Sequence, residues 1–132
     1  MATLNPPKTA HDLSVFWTWM GDDGICRTKT KPHAEITLND AIENSKAVTS
    51  LYKDKKFPLL VDSRDIKSMA KEARRHFSTN GRATKINAMG IMVKSPLSRI
   101  VGNFFMGLNT PGVPARLFDE EAEAINWLKK FV

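Results

Sequence analysis

Thiol chemistry is almost absent from this chain, in which Cys26 is the single cysteine. One cysteine excludes an internal disulfide, and with no His or Asn near it in sequence Cys26 reads as a small buried apolar residue rather than a nucleophile. Long hydrophobic runs are lacking too, since none approaches the ~20 residues a membrane span needs. The first residues, Met1-Ala2-Thr3-Leu4-Asn5-Pro6-Pro7-Lys8, have neither the basic start nor the apolar core of a secretory signal, so a soluble, cytoplasmic protein is expected. Metal-ligand spacing is missing: His11, His33 and His76 stand far apart, and Glu72 with His76, one helical turn on, lacks third and fourth ligands. Gly102 and Gly107 precede no Lys-Ser pair, which excludes a phosphate loop and leaves close helix packing as their use. No metal and no cofactor are expected. The sequence also shows no internal repeat, low-complexity tract or second-domain linker.

What is present is globular in character. With 132 residues, 42% hydrophobic and 26% charged, the chain suits one domain that buries roughly two thirds of its unfolded surface. Its 20 basic and 14 acidic residues give a net charge of +6, which favours anionic partners without naming one. Arg74, Arg75, Arg82 and Lys85 surround one expected helix end, and Arg27, Lys29 and Lys31 line an expected strand. A nucleic-acid surface would add exposed aromatics for stacking. Here Trp17, Trp19, Phe104 and Phe105 fall in segments that want burial, so solvated basic faces are expected and nucleic acid is not.

Residues 1–10, with Pro6-Pro7 and little to bury, are expected as a flexible tail, and residues 11–132 as one domain. Leu13 to Met20 alternate as a strand, with Leu13, Val15, Trp17 and Trp19 sharing a face. Gly21-Asp22-Asp23-Gly24 predicts a hairpin, and Ile25 to Thr30 return antiparallel, their basic row protecting a sheet edge. Thr37 and Asp40 predict a capped helix with Leu38, Ala41, Ile42, Ser45, Val48 and Tyr52 in period, closed by Lys53, Lys55 and Lys56. Phe57 to Val61 form a buried strand. The helix after Asp65 buries Met69, Ala73 and Phe77, and Asn80-Gly81 caps it. Ile86 to Val93 read as a strand covered on both faces, and Ser95-Pro96 as a helix start whose core side carries Leu97, Ile100, Val101, Phe104 and Leu108. Val113 to Phe118 make a short last strand and Asp119 opens the last helix. The predicted class is α/β: one mixed, mostly parallel sheet of about five strands with four helices, in the order ββαβαβαβα.

The stretch Phe57 to Asp65, followed by Met69 to Phe77, is a strand, an acidic exit loop and an amphipathic helix, the place where α/β proteins put their chemistry. Pro58-Leu59-Leu60-Val61-Asp62-Ser63-Arg64, Glu72-Ala73-Arg74, Ser95-Pro96-Leu97-Ser98-Arg99, and Arg116-Leu117-Phe118-Asp119-Glu120-Glu121-Ala122 with Trp127-Leu128 resemble the STAS superfamily (sulfate transporter and anti-sigma-factor antagonist domains). The likeness covers the chain from about Leu13 onward and is greatest to small stand-alone bacterial members of unassigned function. It implies a STAS-like binding module that docks a kinase-like anti-sigma factor or another protein. Regulated members carry a phosphorylatable serine at the start of the helix after the central strand. In this chain Lys71 and Glu72 fall at that place, so the switch is missing.

The expected function is therefore a non-enzymatic regulatory or scaffolding module, with Asp62, Ser63, Asp65, Ser68, Arg74 and Arg75 as partner-binding residues and none as catalytic. Ser95 and Arg99 could hold an anion at a helix N-terminus. Phe104-Phe105-Met106 exceeds what one helix stripe buries, which makes Phe105 and Met106 candidates for a homodimer or ligand contact. A phosphoacceptor receiver would use Asp22-Asp23, Asp62 and Lys94, but the acidic pair leads into a hairpin where that fold needs a helix. The competing reading is a carrier of a lipid or small apolar anion. A lined pocket of roughly 300 Å³ or more between helices and sheet would favour the carrier, and a filled core the docking module.

Overall fold

The computed structural model describes residues 4–79, 85–106 and 113–132, without the side chains at positions 78, 79, 97, 101 and 104–106. In chain order the elements are β1 (His11–Asp12), β2 (Phe16–Met20), β3 (Cys26–Thr30), β4 (Ala34–Ile36), α1 (Leu38–Ser50), β5 (Phe57–Asp62), β6 (Ile66–Met69), α2 (Lys71–Thr79), β7 (Ile86–Met92), α3 (Pro96–Met106), β8 (Ala115–Phe118) and α4 (Glu121–Leu128), then a 3₁₀ turn (Lys129–Phe131). The main sheet runs β1-β2-β3-β5-β7-β8, antiparallel across its first two junctions and parallel across the rest. The β4 and β6 strands pair in parallel apart from it.

The five expected strands are β2, β3, β5, β7 and β8, and the four expected helices are all present. Three elements were not expected. Strands β1 and β4 are too short to show a period. In β6, Ile66 and Met69 pair with Ala34 and Ile36, and Ala70 N–H continues the ladder to the Ile36 carbonyl at 2.8 Å. A long-range pairing thus claims residues whose local pattern suits a helix, and α2 begins only at Lys71. Met69 belongs to the strand, while Ala73 and Phe77 are buried in α2 as expected. The N–H of Leu13 bonds the Phe16 carbonyl at 2.9 Å, so the chain turns before β2. Leu13 and Val15 then pack on the side of Phe16, not with Trp17 and Trp19.

The hairpin closes through Gly21 N–H to the Ile25 carbonyl at 2.9 Å and Gly24 N–H to the Gly21 carbonyl at 3.0 Å, with Gly24 at a φ of 83°. The return strand is not an edge: β3 lies between β2 and β5, which corrects the protective reading of its basic row. Arg27 is 3% exposed and forks onto Asp23, with Nη1 to Oδ1 and Nη2 to Oδ2 both at 2.8 Å. Lys29 donates to the Leu4 carbonyl at 3.2 Å, and Lys31 pairs with Asp12 and lies over the Trp17 ring. Leu4 itself is buried among Trp19, Leu60 and Leu128, so the expected flexible tail is held against the domain from Leu4 onward.

Helix α1 starts as expected, with Thr37 and Asp40 capping each other's backbone N–H groups. It stops at Ser50, so Lys53, Lys55 and Lys56 lie beyond its last turn and do not close it. Every residue of β5 is buried, because both sheet faces are covered. Ala41 of α1 and Ala73 and Phe77 of α2 pack with Phe16, Ile91 and Val93 on one face, while Ala124, Ile125 and Leu128 of α4 pack with Leu60, Ala88 and Met92 on the other. Helix α3 joins the first face through Gly102, where an added Cβ would lie 2.8 Å from Val93 Cγ1. Under α1, buried Asn44 donates from Nδ2 to the hydroxyls of Thr18 at 2.9 Å and Thr28 at 3.2 Å, which sit 3.1 Å apart as a cross-strand pair. The expected cap at Asn80-Gly81 lies outside the described residues.

Candidate functional site

The parallel strands end their carboxyl edge at Asp62 in β5, Met92 in β7 and Phe118 in β8, where open α/β sheets place their sites. The loop after β5 is built from within. Asp62, 3% exposed, accepts Arg64 Nε at Oδ1 and Arg64 Nη2 at Oδ2, both at 2.9 Å, and also the Arg64 N–H at 3.1 Å. That carboxylate raises the already high pKa of the guanidinium, chiefly through the hydrogen bonds, against the opposing effect of burial. Ser63, equally buried, donates its hydroxyl to the Met92 carbonyl at 2.8 Å, and Thr30 donates to the Asp62 carbonyl at 3.1 Å. These bonds tie the loop to both neighbouring strands. Asp62 and Ser63 are therefore turned inward and shape the loop instead of facing a partner.

The other expected contact residues are outside. Asp65 and Ser68 are exposed in the loop and in β6, and Arg74 and Arg75 are exposed on α2, whose buried side is occupied by Ala73 and Phe77. His76, half-buried on α2, places Nε2 3.0 Å from the Ser45 hydroxyl and so joins α2 to α1.

At the start of α3, the Ser98 hydroxyl oxygen accepts the N–H groups of Lys94 at 2.8 Å and Ser95 at 2.9 Å, while Ser95 Oγ accepts the N–H of Ser98 at 3.1 Å. Pro96 has no N–H to offer. The N–H groups of Lys94, Ser95 and Ser98 are thus already bonded within the turn, and Ser95 acts as a cap. Arg99 is exposed and lines a cleft of about 180 Å³ with Arg116, Asp119 and Glu123, whose mixed charges do not single out an anion. The Phe105 and Met106 side chains lie outside the described residues.

The receiver-like acids do not meet. Asp23 belongs to the hairpin at the amino end of β3, whereas Asp62 stands at the carboxyl end of the adjacent parallel β5. Among the described residues, no three His, Cys, Asp or Glu side chains converge to hold a metal ion, and no helix is long and apolar enough to cross a membrane. Between the sheet and the α1–α2 layer the free volume is about 20 Å³, walled by Phe16, Asn44, Val61, Ile66 and Phe77. This interior is filled.

The organising roles of four residues escaped the sequence reading: Arg64, Ser98, and the pair Arg27 and Asp23. Arg64 and Arg27 did leave a signal, an opposite charge two and four residues away, but nothing local says that the charges are buried.

A family model described as a domain of unknown function (DUF7793) matches residues 18–132. No curated protein matches the chain. Among solved structures, an uncharacterised protein of the DUF3478 family with a SpoIIAA-like fold, from Shewanella loihica PV-4, is similar at 19% identity and a TM-score of 0.60, covering 86% of this chain and 91% of its own. An anti-sigma factor antagonist from Mycobacterium paratuberculosis is similar at 15% identity and a TM-score of 0.61, covering 96% of this chain and 99% of its own. A protein of unknown function from Arthrobacter sp. FB24 shares 30% identity over 84% of this chain and 90% of its own, at a TM-score of 0.32. The first two likenesses show the fold, which is SpoIIAA-like and of the STAS type.

Proposed function

Because the chain belongs to the DUF7793 family of domains of unknown function and carries a SpoIIAA-like fold, we propose that it is a regulatory or scaffolding protein-binding module of the bacterial cytoplasm. The observation that carries this reading is the likeness, over nearly the whole chain, to an anti-sigma factor antagonist. The docking surface is the unit running from the β5–β6 loop through α2. Asp65 and Ser68 present polar groups, Arg74 and Arg75 complement acidic groups on the partner, and the Asp62–Arg64 fork keeps the loop in one shape before binding. Lys71 and Glu72 occupy the first positions of α2, so docking proceeds without the serine switch of regulated STAS members. A ligand carrier is disfavoured, since a small-molecule chamber needs roughly 300 Å³ or more and the space between sheet and helices is about 20 Å³.

The test is a pull-down with tagged protein from lysate of the native bacterium, read by protein and lipid mass spectrometry, comparing wild type with the Arg74→Glu, Arg75→Glu double variant. A specific protein captured by wild type and lost in the variant is the expected result. A lipid retained by both forms, with no specific protein, would sink the docking module.

A further inference from the structure

The excess positive charge is gathered at the end of the sheet opposite the β5–β6 loop. The connection from α1 to β5 exposes Lys53, Lys55 and Lys56 around Asp54, whose φ of 64° bends the chain back on itself. Lys85, just before β7, holds Nζ 4.3 Å from the Tyr52 ring centre, and Lys129 and Lys130 are exposed where α4 has returned to this end. Among the described residues the exposed acidic side chains here are Asp22 and Asp54, since Asp23 is already bound by Arg27. In the middle of these lysines lies an open cleft of about 270 Å³, with Met20, Leu51, Phe57 and Pro58 on its walls and Lys53, Lys55 and Lys56 on its rim.

Three features narrow what fits. The apolar walls are recessed behind the lysines, so a flat bilayer would meet the charges and not the cleft. Lys53, Lys55, Lys56, Lys129 and Lys130 are exposed and Lys85 lies half-buried over Tyr52, so no buried, convergent donor set fixes one small anion at a point. The volume suits a single large side chain. Charge spread along a flexible chain, with one apolar group to fill the recess, satisfies all three.

The geometry points to a second docking site at the amino-terminal end of the sheet, built to take an acidic protein segment that inserts one large apolar side chain between Lys53, Lys55 and Lys56. It is separate from the α2 surface, and the two are lost by different substitutions.

The test is fluorescence anisotropy with a short labelled peptide of Glu and Asp flanking one Phe, beside the same peptide with Gly for Phe and vesicles of phosphatidylglycerol. Wild type is expected to bind the Phe peptide in a salt-sensitive manner, and the Gly peptide about tenfold more weakly. The triple variant Lys53→Glu, Lys55→Glu, Lys56→Glu, whose positions are all exposed and whose fold is checked by circular dichroism, is expected to lose binding, while Arg74→Glu, Arg75→Glu retains it. Absence of binding, equal affinity for the two peptides, an unaffected triple variant, or preference for the vesicles over the Phe peptide would each overturn the proposal.

Discussion

Asp23 and Arg27 share a two-pronged contact, yet their surroundings differ: the arginine side chain is 4% exposed and the aspartate 28%. Arg27 Nε has no partner of its own, so the Asp23 fork and the Ile25 carbonyl at 2.8 Å are what satisfy a cation inside the sheet. The guanidinium hydrogen bonds hold the Asp23 carboxyl below the usual carboxylate range, against the opposing effect of burial. A carboxyl that titrates lower in the folded state than in the unfolded chain stabilises the fold fully above the ordinary carboxylate pKa, and that share is lost as pH falls through the lower, folded value. Urea midpoints should therefore decline below about pH 4, and Asp23→Asn should flatten part of that decline. At neutral pH the same substitution should cost about 1–3 kcal/mol by leaving Arg27 unneutralised. An unchanged midpoint in Asp23→Asn would show that water, not Asp23, satisfies the arginine.

Among the elements, α1 and α3 show how far local pattern reaches. The Thr37–Asp40 box and the Ser95-Pro96 start were legible because caps are read from a few adjacent residues, and both are made as expected. Strand β6 was not, because Ile66 and Met69 fit a helical stripe and only the distant Ala34 and Ile36 turn them into a strand. Gly102 belongs to this scale. Substituting alanine would improve helix propensity by about 1 kcal/mol, but its Cβ would press on Val93 Cγ1 and on Leu117 Cδ2, 2.9 Å away. Overpacking against a rigid, buried valine outweighs the propensity gain, and Gly102→Ala should destabilise by about 1–2 kcal/mol in urea titration. A stabilised variant would show that α3 can lift off the sheet freely.

At the scale of the whole molecule, the fold class and helix count followed from the run of apolar strands and capped helices, whereas the anchoring of Leu4 and the interior of the candidate site did not. Pro6-Pro7 resembles a tail, and only the assembled face of Trp19, Leu60 and Leu128 gives Leu4 somewhere to go. Leu4→Ala should accordingly cost about 2–3 kcal/mol, a loss that a detached tail would not show in the same urea titration. Asp62 and Ser63 look like loop residues from their types, and it takes the neighbouring carbonyl of Met92 and the fork of Arg64 to turn them inward. The Asn44 amide with the Thr18 and Thr28 hydroxyls has a consequence of the same global kind. Were the hairpin to pair one residue out of step, Arg27 or Lys29 would stand where Thr28 now meets Thr18, and the buried amide would lose one of its two acceptors. The trio thus ties the seating of α1 on the sheet to the native register of β2 and β3.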